Sequence, residues 1–303
     1  MKTKSTFNKF LLLGFLIALT FGCKKESPNI PIITTYLGTG EYPLGIAFDG
    51  TNMWTSNVGD NSVSKITPSG AITSYTGTGK YPQSIAFDGT NMWTTNVQDN
   101  SVTRITPEGV MTNFADVGPG PAFIACDGTN MWTANQNGKS VTKITPSGGM
   151  IIYTGTGDMP TCIAFDGANM WTANILDNSV TKITPLGEMT TYTGTGSHPA
   201  CIAFDGTNMW TGNIQDNSVT KITPLGIMTT YKGTGEYPYG ITSDGANMWT
   251  ANTIGSVTKI TPSGVMTTYP LVGFPSRIAF DGTNMWTANG SFNSVNKITM
   301  RYN

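Results

Sequence analysis

The stretch Cys201-Ile202-Ala203-Phe204-Asp205-Gly206-Thr207-Asn208-Met209-Trp210-Thr211 decides the fold, because the chain repeats it seven times with small changes. Its signature, Asp-Gly-(Thr/Ala)-Asn-Met-Trp-Thr, puts Trp at 54, 93, 132, 171, 210, 249 and 286, and the chain has no other Trp. Neighbouring Trp residues lie 39 positions apart except the last pair, which lie 37 apart. A period of about 40 residues marks a repeat architecture before any other reading.

Outward from the signature, each copy continues with Ser-Val-x-(Lys/Arg)-Ile-Thr, as in Ser218 to Thr223. Six copies then pass through a Pro-x-Gly turn to a segment ending in Tyr, or in Phe114 in the second copy. Each unit therefore holds four short strand-like stretches; in the fifth unit they are 201–204, 208–213, 218–223 and 227–231. Asp-Gly and Pro-x-Gly supply the tight turns, since Gly permits positive φ and Pro fixes φ. Seven units of four antiparallel strands predict an all-β, seven-bladed β-propeller. The ends of the chain support a ring over a linear solenoid, which would need polar capping repeats. Ile32 to Tyr36 matches the fourth strand of a unit, and the last unit stops after its third strand, Ser294 to Thr299. Residues 32–36 should thus complete the last blade and close the ring.

Composition limits the chemistry. Of 303 residues only 12% are charged, and the net charge is −1. Five of the 17 basic residues precede residue 30, so no basic face remains for a nucleic acid. One His in the whole chain excludes any mechanism or metal site that needs two imidazoles. There is no metal-ligand spacing, no Gly-x-Ser-x-Gly turn and no phosphate loop, and the repeated Gly-Thr-Gly precedes a strand instead of a helix N-terminus. Accordingly no catalytic residue, metal or cofactor is assigned.

Residues 1–22 read as a signal peptide, with Lys2, Lys4 and Lys9 ahead of an apolar run from Phe10 to Gly22. The sequence Leu19-Thr20-Phe21-Gly22-Cys23 resembles a bacterial lipoprotein signal, which implies lipidation of Cys23, a polar tether over residues 23–30, and the propeller over 31–303. Leu19 sits one place further from the Cys than the usual pattern has it. The expected location is the bacterial cell envelope, at the outer membrane or cell surface, with the lipid as membrane anchor and the chain a monomer.

The unit Ile-Ala-Phe-Asp-Gly-Thr-Asn-Met-Trp-Thr, with Lys-Ile-Thr-Pro-x-Gly-x-Met-Thr-Thr-Tyr after it, resembles the repeat of the streptogramin (virginiamycin B) lyase family. It is also similar to NHL and YVTN-type propellers. The resemblance covers residues 32–299. It implies the fold directly, and for members with lyase activity it implies His and Glu residues with a divalent metal opening a cyclic depsipeptide. The two-histidine arrangement has no counterpart here, because His198 stands alone.

Residues present in every repeat are expected to be structural: the Asp-Gly Asp as turn former, the Lys or Arg of the third strand as a packed stem, and the Asn after each Trp strand as a partner for loop backbone, with a ring of amides meeting a ligand as the alternative. Cys162 and Cys201 share one position in adjacent units, and both a disulfide and two small apolar fillers remain open there. Variation gathers in the loops that lead into the first strand of each blade, where binding residues concentrate on rigid scaffolds. These loops carry the candidate ligand-binding residues Tyr42, Tyr81, His198, Glu236, Tyr237, Tyr239, Phe274 and Arg277. Two functions follow. One is a non-enzymatic scaffold binding a peptide, glycan or partner protein. The other is a lyase or hydrolase using His198 with Glu236 or Asp158.

Overall fold

The computed structural model describes residues 30–300. The signal peptide, Cys23 and nearly all of the tether lie outside these residues. Strands β1 to β28, in chain order, form seven four-stranded antiparallel sheets. The first blade comprises β2 (Pro43–Phe48), β3 (Met53–Asn57), β4 (Ser62–Ile66) and β5 (Ile72–Thr76). The fifth comprises β18 (Pro199–Phe204), β19 (Met209–Asn213), β20 (Ser218–Ile222) and β21 (Met228–Lys232). The seventh joins β26 (Pro275–Phe280), β27 (Met285–Asn289) and β28 (Ser294–Thr299) to β1 (Ile32–Leu37). Ile32 pairs with Thr299 and Leu37 with Ser294, so the N-terminal strand closes the ring as its sequence requires.

Met and Trp of each signature point to opposite faces of a strand and fill opposite gaps between blades. Trp54 and Val63 of the first blade pack on Ile85, Met92 and Ile105 of the second. The same set closes the circle, with Trp286, Ala288 and Val295 against Ile46, Met53 and Ile66. Every Trp is at most 1% exposed. Burying one is worth about 4–6 kcal/mol before entropy is charged against it.

A second layer of contacts recurs at the outer side of each blade. Trp210 stacks on Tyr231 at 5.8 Å, and Lys221 Nζ stands 5.5 Å over the same indole. The Lys221 head then donates to the Pro262 carbonyl in the next blade's turn. Arg104 reaches Pro146 in the same way, at 3.0 Å. The cation is therefore a stem packed on Trp, and at Lys65, Arg104, Lys143 and Lys221 its head bridges two blades. Tyr192 lies against Gly226 of the following turn, where φ is +82° and a Cβ would stand 2.2 Å from the ring. Only Gly satisfies both demands.

The Asp-Gly carboxylates are turn formers, and they do more than their sequence position suggests. Asp205 Oδ1 accepts the Thr207 and Asn208 amides, while Oδ2 accepts the Trp210 indole N–H at 2.6 Å. Partial burial opposes ionisation of Asp205, but these hydrogen bonds outweigh it and hold the carboxyl below its usual 3.8.

The Asn residues depart from expectation. Asn57, Asn96, Asn135, Asn174, Asn213, Asn252 and Asn289 are all 0% exposed, and their side chains bond hydroxyls inside their own blade rather than loop backbone. Asn213 Nδ2 donates to Ser218 and Thr220, and its Oδ1 accepts from Thr211. Thr220 continues to Thr230 in the outer strand and accepts the Gly196 amide of the Gly-Thr-Gly segment. A hydroxyl–amide seam thus replaces an apolar filling on the lead-in side of each blade. Each amide is fully buried and bonded at both its oxygen and its nitrogen, so the ring is not displayed to a ligand.

Candidate functional site

The lead-in loops and the loops between second and third strands lie on one face and are laced together. Val58 N–H donates to the Tyr42 carbonyl and Ile214 N–H to the His198 carbonyl. The Tyr42 amide donates to Asn293 of the preceding blade, and those of Tyr81, His198 and Tyr237 donate to Asn61, Asn178 and Asn217. These bonds hold four large residues in the left-handed region, with φ of 55° at Tyr42, 61° at Tyr81, 59° at His198 and 55° at Tyr237. An L-residue adopts that conformation at a cost of about 1–2 kcal/mol. Such strain persists where the surroundings impose it, often at binding surfaces.

Each first strand also carries a bulge just after its Pro. Pro43 pairs with Asn57 and Gly45 with Ser56, leaving Leu44 over; Gln83, Tyr239 and Ser276 are the corresponding residues elsewhere. A bulge re-aims the side chain that it leaves unpaired. Here these side chains turn toward one depression of about 380 Å³ on this face of the ring. Tyr42, Tyr81, Tyr239 and Phe274 supply its rings, and Gln83, Gln136, Thr253, Ser276 and Ser291 its polar groups. Among the described residues, no charged side chain and no His lines it. Gly290, in a short 3-10 turn (Gly290–Phe292), lets the Tyr42 ring lie close: a Cβ there would meet it at 2.9 Å.

Four of the eight candidate residues therefore come together. Tyr237 and Glu236 are exposed on their loop but do not line the depression. His198 is also outside it, with Nδ1 3.2 Å from Ser197 Oγ. No hydrogen bond joins His198 to Glu236 or Asp158; the Asp158 carboxylate pairs with Lys139 at 2.9 Å. Arg277 requires a correction. It is 5% exposed and sits on the ring axis rather than on the rim, because its register on β26 aims it inward. Its guanidinium stands over the rings of Tyr239 (4.3 Å) and Phe123 (5.3 Å).

Sequence reading missed Leu44, Gln83, Gln136, Thr253 and Ser276. The signal was present: these residues directly follow the invariant Pro of the first strand or the invariant Asn of the second, positions that change from unit to unit. Cys162 and Cys201 are free, buried thiols in the axial wall. Burial pushes the Cys201 thiol up to about 12, with Cys162 adding to the shift and Arg277 opposing it.

The divalent metal that the family resemblance implies does not fit these residues. Among the described residues, no group of three or more His, Cys, Asp or Glu stands where it could hold an ion. No step is derived through one.

Comparison with known proteins gives the same architecture. Virginiamycin B lyase from Staphylococcus aureus superposes with a TM-score of 0.80 at 22% identity, over 89% of this chain and 100% of that one. A catalytically inactive variant of that lyase, solved with quinupristin, superposes equally well at 24% identity, over 89% and 100% of the two chains. The WD40 β-propeller domain of Doa1 gives a TM-score of 0.74 at 11% identity, covering 89% of this chain and 96% of that one. No curated protein sequence matches the chain. Residues 33–232 match the Virginiamycin B lyase family, and the chain belongs to that family.

Proposed function

We propose that the propeller is a binding scaffold, taking a neutral glycan, an uncharged peptide segment or a like surface of a partner protein in the depression. The observation that carries this reading is the lining: four aromatic rings and five neutral hydrogen-bonding side chains around a site without charge. Rings supply apolar faces with little entropy to lose, while amides and hydroxyls orient a polar ligand. The volume falls within the usual range for ligand sites.

The same reading places the protein at a bacterial cell envelope, anchored through Cys23. The start of β1 supports a sensible geometry for such an anchor. Ile32 pairs with Thr299, whose hydroxyl donates to Asn284 in the Asp281–Gly282 turn. The chain therefore joins the ring on the side away from the depression, and a tethered propeller would hold its binding face outward. Release of a Cys23→Ser variant from the membrane fraction tests the anchor; retention after a carbonate wash contradicts it.

Membership of a family named for a lyase favours a second reading, in which His198 with Glu236 or Asp158 opens a streptogramin. The two separate cleanly. Glycan and peptide arrays probed with the wild type and with Tyr81→Ala should give hits that the variant loses. Metal-dependent linearisation of quinupristin, abolished by His198→Ala, would instead establish the lyase.

A further inference from the structure

The axis of the ring holds a charge that no carboxylate among the described residues balances. One position of each innermost strand faces the axis, and around the ring it is occupied by Gly45, Ser84, Phe123, Cys162, Cys201, Gly240 and Arg277. Five of the seven are small, so the long guanidinium projects into space that the fold leaves open. Beside it is a cavity of about 40 Å³, lined by Gly45, Ser84, Phe123, Cys162, Cys201 and Arg277 together with Ile residues. Arg277 Nη1 donates to the Tyr239 carbonyl, and Nε, buried, has no partner among the described residues. The ion pair among the described residues is Lys139–Asp158, on the surface. Neither axial thiol compensates the charge, since burial keeps both protonated.

We propose that this axial cavity is a binding site for one small monovalent anion, a halide or an ion of formate size, held by the Arg277 guanidinium. Arg remains protonated in proteins, and an unpaired buried cation is strongly unfavourable. The faces of Phe123 and Tyr239 offset part of that cost but provide no negative charge. An anion would accept the free Nε–H and complete the guanidinium. The Ser84 hydroxyl can donate to it as well, whereas the single S–H of Cys162 and of Cys201 is already given to backbone carbonyls. At about 10–15 Å³ per water the cavity has room for roughly three waters, or for one small ion that keeps part of its hydration. Sulfate is disfavoured by its second charge, which one guanidinium does not balance. The inference is independent of what occupies the depression above.

Bromide is the probe. The 81Br line width of sodium bromide should broaden with added wild-type protein, by a margin that falls roughly tenfold with Arg277→Met and is partly kept by Arg277→Lys. Circular dichroism melts confirm that each variant is folded before it is compared. Should either variant fail to fold, wild-type crystals soaked in bromide give the same decision: an anomalous peak within hydrogen-bond reach of Arg277 supports the site. Equal broadening by wild type and Arg277→Met, or anomalous peaks confined to surface residues, would overturn it.

Discussion

The two faces of the ring obey different rules. On the Asp-Gly and Pro-x-Gly side the repeat is nearly invariant, and its residues answer to one another: Asp205 to Trp210, Trp210 to Tyr231, Lys221 to the next blade's turn. On the lead-in side the backbone is equally uniform, but the side chains it displays are not. The same bulge that shows Leu44 in the first blade shows Tyr239 in the sixth and Ser276 in the seventh. Uniform backbone with varied display is what a scaffold with a grafted site looks like. Stability should therefore reside in the repeated positions and recognition in the varied ones.

Substitutions at repeated positions should break that comparison most severely if it is wrong. Trp210→Ala removes a fully buried ring at a blade interface and should cost about 3–5 kcal/mol by denaturant unfolding. Asn213→Ala leaves the hydroxyls of Thr211, Ser218 and Thr220 without their shared partner and should cost about 1–3 kcal/mol. An exposed role for this Asn would predict almost no loss.

Acid sharpens the same point. Partial burial resists ionisation of Asp49, Asp127, Asp166, Asp205, Asp244 and Asp281, yet the amide and indole donors prevail and lower all six pKa values. A carboxyl whose native pKa lies below its unfolded value stabilises the fold above the unfolded value of 3.8. That contribution is lost as pH falls through the lower native value. Melting temperature should thus drop below about pH 4, and Asp205→Asn should flatten the decline. A variant profile parallel to the wild type would show that these carboxylates are not coupled to folding.

Most of the fold was legible because the repeat prints each structural rule seven times. The Trp spacing set the blade number, and the match of Ile32–Tyr36 to a fourth strand set the closure. The site was half legible. Its aromatic residues stood out from the loops, but a bulge adds one residue to a strand without leaving a turn signature, so the direction of each exposed side chain could not be counted off. Arg277 shows the consequence: one place after the bulge residue Ser276, it faces the axis instead of solvent. The Asn ring misled for a related reason, since its hydroxyl partners lie in the same blade but on strands that sequence distance alone does not rank.

On the lead-in face the effects on stability should be small. Tyr42→Ala and Tyr81→Ala should change stability by no more than about 0.5 kcal/mol while weakening ligand binding by roughly 1–3 kcal/mol. Tyr237→Ala should leave affinity unchanged, because its ring stands outside the depression.

The central claim is that recognition belongs to one face, and a single titration tests it. The strongest array hit is titrated by calorimetry against wild type, Tyr81→Ala and Leu225→Ser, the last an exposed Pro-x-Gly turn residue on the opposite rim. The account predicts that Tyr81→Ala weakens binding at least tenfold and that Leu225→Ser leaves it unchanged. Loss of affinity in Leu225→Ser, with Tyr81→Ala binding as the wild type does, would contradict it.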